Sequence, residues 1–398
     1  MRRVYLDHNA TTPLAPEVFE AMKPYLMDGF GNASSVHAWG QEARAAVEEA
    51  RESVARLLNA ASGEIVFTSG GTESDNTALF GMVEAASARL SGGRPHVVTT
   101  SIEHPAVLNA AQALEKRGAA VAFVRPGSDG VIDPAEIGRA LTPETALISV
   151  MHANNELGAL QPLEEIGRIA QERGVPFHTD AVQSVGKVPV DVRKMGVKLL
   201  SLSAHKINGP KGVGALYVRK GVPFRPLLYG GHHERDRRPG TENVPGIVGL
   251  GKAAELALAH LREDAVRIGA LRDRLEQGIL SAIPLATVNG ARDRRLPSTS
   301  NITFAFVGGE SFVIAADLRG LGCSTGSACA SGSLEPSHVL SAIGKTKEEA
   351  RSTVRFSLGG STTSEDIDYA LGVIIEVIGR LRSLSPLYKG EAVSSAAL

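Results

Sequence analysis

Between residues 63 and 220, short β-branched runs alternate with longer segments whose apolar positions recur every three or four residues. The runs are EIVFT (64–68), HVVTTS (96–101), AVAFV (120–124), ALISVM (146–151), VPFHTD (175–180), LLSLS (199–203) and GALYV (214–218). Their length suits strands, and their near-continuous apolarity suits strands covered on both faces. Segments such as ESDNTALFGMVEAASARL and PLEEIGRIAQERG carry helical spacing, and the second closes on a glycine, a common helix terminator. The alternation predicts an α/β fold with a mostly parallel, mixed sheet flanked by helices. A long helical stretch near 244–281 follows; from TSNITFAFVGG the strands and helices become sparser, ending in a helix predicted around 363–384. The expected division is a large unit over residues 15–256 and a smaller α/β unit made of 1–14 and 257–398.

The 398 residues exceed the usual size of one core, at roughly 150 residues per domain. With 43% apolar and 21% charged residues the usage is that of a globular protein. Basic and acidic residues nearly cancel, 42 against 43, so no overall field points to nucleic acid or an anionic membrane. The start MRRVYLDHNATTPLAP has no apolar run behind its basic residues, and no window reaches about 18 continuous apolar residues. The expectation is a cytoplasmic enzyme. Two cysteines, Cys323 and Cys329, cannot make a disulfide framework or a four-thiolate metal site within one chain. They leave a reactive thiol, a redox pair or two bystanders, and both lie in the soft stretch CSTGSACASGS (323–333).

In an open parallel sheet, ligands gather at the carboxyl ends of the strands. After EIVFT comes SGGTESDN, either a phosphate-binding turn at a helix N-terminus or a tight turn with Thr72 as helix cap. After LLSLS comes AHKINGPKGVG, where Lys206 is either a desolvated, nucleophilic amine or a solvated charge. Asp180 ends an otherwise apolar strand; buried, it demands a cation or several donors, such as a pyridinium nitrogen, and otherwise it caps a helix over AVQSVG. His104 stands where a ring could stack on a flat ligand, and Asn155 where an amide could reach a ring hydroxyl. Together, a phosphate cradle, an amine, a carboxylate and an imidazole match the separate requirements of pyridoxal 5′-phosphate.

The blocks LDHNATT, FGNASSVH, TSGGTESDN, EHPAVL, HANNELG, HTDAVQSVGK, SAHKINGPKGVGALYV, RRPGTEN, STGSACASGSLEPSHVL and VRFSL extend the match over residues 4–385. In them the chain resembles the pyridoxal-phosphate cysteine desulfurases, and is most similar to the nitrogen-fixation-type branch. The resemblance implies a fold-type I transferase architecture and a homodimer with active sites at the interface. It implies that Lys206 is the Schiff-base lysine, that His104 stacks on the ring, and that Asp180 and Gln183 meet its nitrogen and phenolic oxygen. Asn155 is implied to contact cofactor or substrate. Gly71, Thr72, Ser203 and His205 are implied to hold the phosphate, with Thr241 reaching over from the partner subunit on a flexible basic loop. Arg355 is implied to pair with the carboxylate of the substrate, L-cysteine, a task suited to a planar fork of donors. The family's catalytic cysteine falls at Cys329, whose thiolate takes the substrate sulfur as a persulfide and passes it to an acceptor protein such as an iron–sulfur scaffold. A Ser/Gly/Ala segment suits a thiol that must travel.

Cys323 is expected to be a buried small hydrophobe instead of a resolving thiol. Ala33 replaces a usual proline, Gly360 and Ser361 stand where the family tends to carry a basic and an aromatic residue, and His8 stands where asparagine is common. Three other readings stay open: transamination, which needs no such thiol; selenocysteine cleavage, which shares the geometry; and a non-catalytic sulfur or cluster scaffold, which would not require Lys206, Asp180 and Arg355 together. His232 and His233 are expected to bind no metal.

Overall fold

The computed structural model describes residues 2–88, 93–326, 336–386 and 388. The seven apolar runs form one sheet: β1 (Ile65–Thr68), β2 (His96–Thr100), β3 (Ala120–Val124), β4 (Thr145–Ser149), β5 (Phe177–Asp180), β6 (Leu199–Ser203) and β7 (Gly214–Val218). Their order across the sheet is β1-β7-β6-β5-β4-β2-β3. Strand β7 runs antiparallel to both its neighbours, and every other pair is parallel.

Along β7 the alternation of a pleated strand is legible. Ala215 and Tyr217 enter the core on one face, while Leu216 and Val218 enter the core on the other. Both faces are covered, which is why the sequence reads as continuous apolar runs. Helices α1 (Pro16–Met27), α2 (Ala38–Leu58), α3 (Gly71–Ser87), α4 (Pro105–Lys116), α5 (Pro134–Ala140) and α6 (Leu163–Glu172) surround the sheet. Beyond α6, Gly174 adopts φ +67°, the left-handed turn that ends the helix and returns the chain to β5.

Helix α7 (Val244–Ala282) joins two cores. Val244, Ile247 and Leu250 pack into the core of the large sheet, whereas Leu271, Leu275 and Ile279 pack into a second core. Among the described residues it is the one helix long and apolar enough to cross a membrane. Its buried apolar side chains are divided between these two interiors.

The second core lies on an antiparallel sheet of β8 (Ala286–Val288), β9 (Thr299–Phe304), β10 (Ser324–Thr325) and β11 (Thr353–Ser357), in the order β10-β11-β9-β8. Helix α8 (Gly309–Asp317) and helix α9 (Ser364–Leu384), the latter opened by a Thr363–Asp366 capping box, close it. The chain's first residues join this sheet: Val4 and Tyr5 pair with Leu321 and Gly322, and His8 donates its backbone N–H to the Ser357 carbonyl. Residues 9–12 then cross toward the carboxyl ends of the large sheet, where the Thr12 hydroxyl donates to the carbonyl of His205.

Candidate active site

The turn between β1 and α3 is built for close approach. Gly70 sits at φ +153° and ψ −177°, a region open in practice only to glycine. A Cβ on Gly71 would come within 2.7 Å of Val182 Cγ2. Helix α3 starts at Gly71 behind Gly70, so Thr72 lies inside the first turn and is not the cap. The first N–H groups of a helix have no partner within it, and the dipole there favours an anion. A cavity of about 410 Å³ opens at this turn, lined by Gly70, Gly71, Thr72, Ser203, His205 and Lys211 among others. Thr241 is exposed and is not among these lining residues.

The Ala204–Lys206 turn follows β6 directly. Lys206 Nζ donates to the backbone carbonyls of Asn9 (2.5 Å) and Ala10 (2.7 Å). His205 Nδ1 lies 3.1 Å from Thr11 Oγ1. Burial, then the charges of Lys206, Lys211 and Lys187, bring its imidazole down to about 4, so it is neutral.

Asp180 ends β5 and is buried, and its Oδ1 accepts from the Val182 N–H at 2.9 Å. It therefore caps a turn, because residues 181–187 form turns and no helix. Burial pushes its carboxyl above the usual range, while His104 and Lys206 pull it back. Asp75, also buried, is pushed well up by burial and by repulsion from Asp180.

His104 caps α4, its Nδ1 accepting from the Ala106 N–H at 3.1 Å. Burial lowers its pKa, and the Asp180 carboxylate opposes that shift. It shares with Thr72 the lining of a second opening of about 430 Å³. The preceding residue, Glu103, is buried, accepts from Thr100 Oγ1 and the Met151 N–H, and is pushed by burial to about 8.

Arg355, on β11, is 1% exposed. Its Nη1 donates to the Asn155 carbonyl (2.9 Å) and its Nη2 to Asp7 Oδ1 (2.7 Å), while Nε has no hydrogen-bond partner among the described residues. Cys323 lies between Leu321–Gly322 and β10, buried in the second core, where burial drives its thiol far above the ordinary range. Cys329 lies outside the described residues. His8 is buried, with Nδ1 3.1 Å from the Ser357 carbonyl and its ring against Gly359, where a Cβ would meet it at 2.1 Å.

The loop carrying Thr241 is more tightly held than its basic composition suggests. Glu234, Arg235 and Asp236 take positive φ values of 46°, 58° and 62°. Buried Glu234 receives both Nη atoms of Arg51 (2.7 and 2.8 Å) and the Phe67 N–H (2.8 Å), and Arg238 pairs with Glu73 of α3 at 2.9 Å. The expectation of a flexible loop is corrected here, because a desolvated ion pair fixes it to α2 and the Phe67 N–H fixes it to β1. Sequence reading missed this pair, as it missed Lys211, Asp7, Asn9 and Lys187; only the motif neighbourhoods of Lys206, Asp180 and His8 offered a signal for the last four.

The residues present fit pyridoxal phosphate. A glycine turn at a helix start suits the phosphate, Lys206 offers the amine, and Asp180 is a carboxylate too deeply buried to ionise cheaply without a cation nearby. The chain matches the model of the family Aminotransferase class-V over residues 4–370. It belongs to that family, whose members depend on pyridoxal phosphate. It is 50% identical over 390 residues to a cysteine desulfurase IscS of Dictyoglomus turgidum, covering 98% of each chain. It is 51% identical over 389 residues to a cysteine desulfurase IscS of Anaeromyxobacter dehalogenans, covering 97% of this chain and 95% of that one. A solved NifS-like protein superimposes with a TM-score of 0.88 at 38% identity, over 95% of this chain and all of that one. A structure of SspA in complex with cysteine gives 0.79 at 41% identity, over 89% and 98%.

Proposed function

We propose that this chain is a cysteine desulfurase, releasing L-alanine from L-cysteine and retaining the sulfur on Cys329 as a persulfide. The observation that carries the reading is the placement of Lys206, the Gly70–Thr72 turn and buried Asp180 at the carboxyl ends of β6, β1 and β5 of one sheet, in a chain half identical to cysteine desulfurases. Bound through Lys206, pyridoxal phosphate supplies an electron sink for the substrate's α-carbon.

The protein's own groups do the rest. Gly71, Thr72, Ser203 and His205 hold the phosphate, with Lys211 adding charge and Thr241 contributed by a second copy of the chain. Asp180 keeps a cation at the ring nitrogen, and Gln183 donates to the phenolic oxygen. The face of His104 covers the ring, and Asn155 and Arg355 orient the substrate carboxylate. Lys206 Nζ would take the α-proton of the substrate and return it to the α-carbon of the alanine that leaves. The Cys329 thiolate then bonds to the substrate sulfur as the carbon–sulfur bond breaks; the electron pair stays with carbon, and a proton completes the methyl group of alanine.

Sulfur passes onward to an acceptor protein, for which an iron–sulfur scaffold is our choice because two of the relatives carry the IscS name. The working enzyme is a homodimer. Its smaller part, residues 1–14 and 257–398, bears the thiol, and its larger part bears the cofactor. The test is to incubate the purified holoenzyme with L-cysteine and measure alanine and protein-bound persulfide. Cys329→Ala loses the persulfide and multiple turnover, whereas Cys323→Ala keeps both. The reverse pattern sinks the assignment.

A further inference from the structure

Asn9 belongs to no helix or strand, yet groups from the far reaches of the chain meet on it. Its backbone carbonyl accepts from Lys206 Nζ (2.5 Å) and from Gln183 Nε2 (2.9 Å). Its side-chain Oδ1 lies 3.3 Å from Lys187 Nζ, and its Nδ2 donates to the Asn155 carbonyl (3.1 Å) and to Thr299 Oγ1 (2.9 Å). Lys187 Nζ also donates to Gln183 Oε1 at 3.1 Å.

The Gln183 amide is thus gripped at both ends. An amide can turn over and exchange its oxygen for its NH2 group, but a lysine ammonium has only hydrogens to offer and the Asn9 carbonyl has only lone pairs. Lys187 and the Asn9 carbonyl together therefore decide which end of Gln183 is the oxygen. The NH2 end spends one hydrogen on the Asn9 carbonyl and keeps the other.

We propose that Lys187 is a positioning residue for the cofactor: it fixes the Gln183 amide so that its remaining N–H is aimed at the cofactor's phenolic oxygen, and through Asn9 it ties that setting to Lys206. The inference rests on the cofactor reading above. Burial, then the charges of Lys206 and Arg355, bring Lys187 to about 7. The ammonium and the free amine both have the two hydrogens that Gln183 Oε1 and Asn9 Oδ1 require, and in the free amine, which also carries a lone pair, the Asn9 carbonyl keeps the NH2 end in place. The other titratable groups that feel its charge are His8 and His205.

The competing account is that Lys187 acts only as a charge near Lys206, independently of Gln183. A double-mutant cycle on the holoenzyme separates the two, read as the pH midpoint of the lysine-linked cofactor's absorbance. A donor to the phenolic oxygen favours its ionised form, so losing that donor raises the midpoint. Lys187→Met and Gln183→Leu each raise it by about one unit, and the double variant by no more than either. Lys187→Arg, donor-only like lysine, holds the midpoint near wild type. Lys187→Gln is a second probe should the methionine variant not fold, and it also moves the midpoint upward. Additive shifts in the double variant, or an unmoved midpoint in Lys187→Met and Lys187→Gln, overturn the proposal while leaving the cofactor reading intact. A colourless wild type that borohydride does not alter overturns both.

Discussion

At the large-sheet wall of the site, Gly70–Thr72 and Ser203–Lys206 are two short stretches at the ends of β1 and β6, and much of what they offer is backbone N–H and a single amine. At the small-sheet wall, Arg355 meets Asp7 and Asn155, residues 348 and 200 positions away. The first wall is positioned by connectivity: wherever the strand ends, its groups arrive. The second exists only because the N-terminal residues 4–12 cross from one sheet to the other, and it works through charges whose value depends on burial. Damage to the first wall should therefore remove chemistry and leave the fold. Damage to the second should weaken substrate capture, or stability, in proportion to the desolvation undone.

The largest effect expected is at the first wall. Lys206→Ala loses the borohydride-sensitive colour and about 10²- to 10⁴-fold in turnover, with a far-UV spectrum unchanged. Next comes Arg51→Met, which strands the buried Glu234 carboxylate and lowers stability by about 3–5 kcal/mol in urea unfolding. A loss within 1 kcal/mol there would mean that connectivity alone holds the loop carrying Thr241.

Arg355→Lys keeps the charge but not the planar fork. It should raise KM for cysteine about 10- to 100-fold with kcat less affected, and equal falls in kcat and kcat/KM would move Arg355 from substrate capture to the chemical step.

The effect expected to leave activity least changed is in the pH dependence of stability. The unfolded Glu103 carboxyl titrates near 4.5 and the folded one near 8, so the native state holds its proton through that window and loses stability as pH rises through it. Glu103→Gln has no proton to lose there. Urea midpoints at pH 5 and pH 8 should show the variant gaining on wild type at the higher pH, and a constant gap would contradict the assignment.

What could be read from the chain follows this division. The strands of the large sheet were legible because both faces are buried, and the ends of β1, β5 and β6 marked Gly71, Asp180 and Lys206 without further information. Asp7, Asn9 and Lys187 were not marked, although each lies inside or beside a recognised block. A short polar residue near the N-terminus reads as a loop residue until something buries it. Arg51 and Glu234 read as surface charges for the same reason, being 183 positions apart. The alternative for Asp180, a helix cap, was half right: it caps a turn, because the segment after it packs beside the site and never completes a helix.

By itself the sequence determined the alternation of strands and helices and the order in which chemistry arrives at the sheet's edge, since both follow from local spacing and composition. Tertiary structure alone decided which polar residues are desolvated and what each then faces: Asn9 against Lys206, Gln183 and Lys187, Arg355 against Asp7, Glu103 away from water. The physical reason is that the cost of an unpartnered polar group is set by its surroundings, and those surroundings are supplied by residues hundreds of positions away.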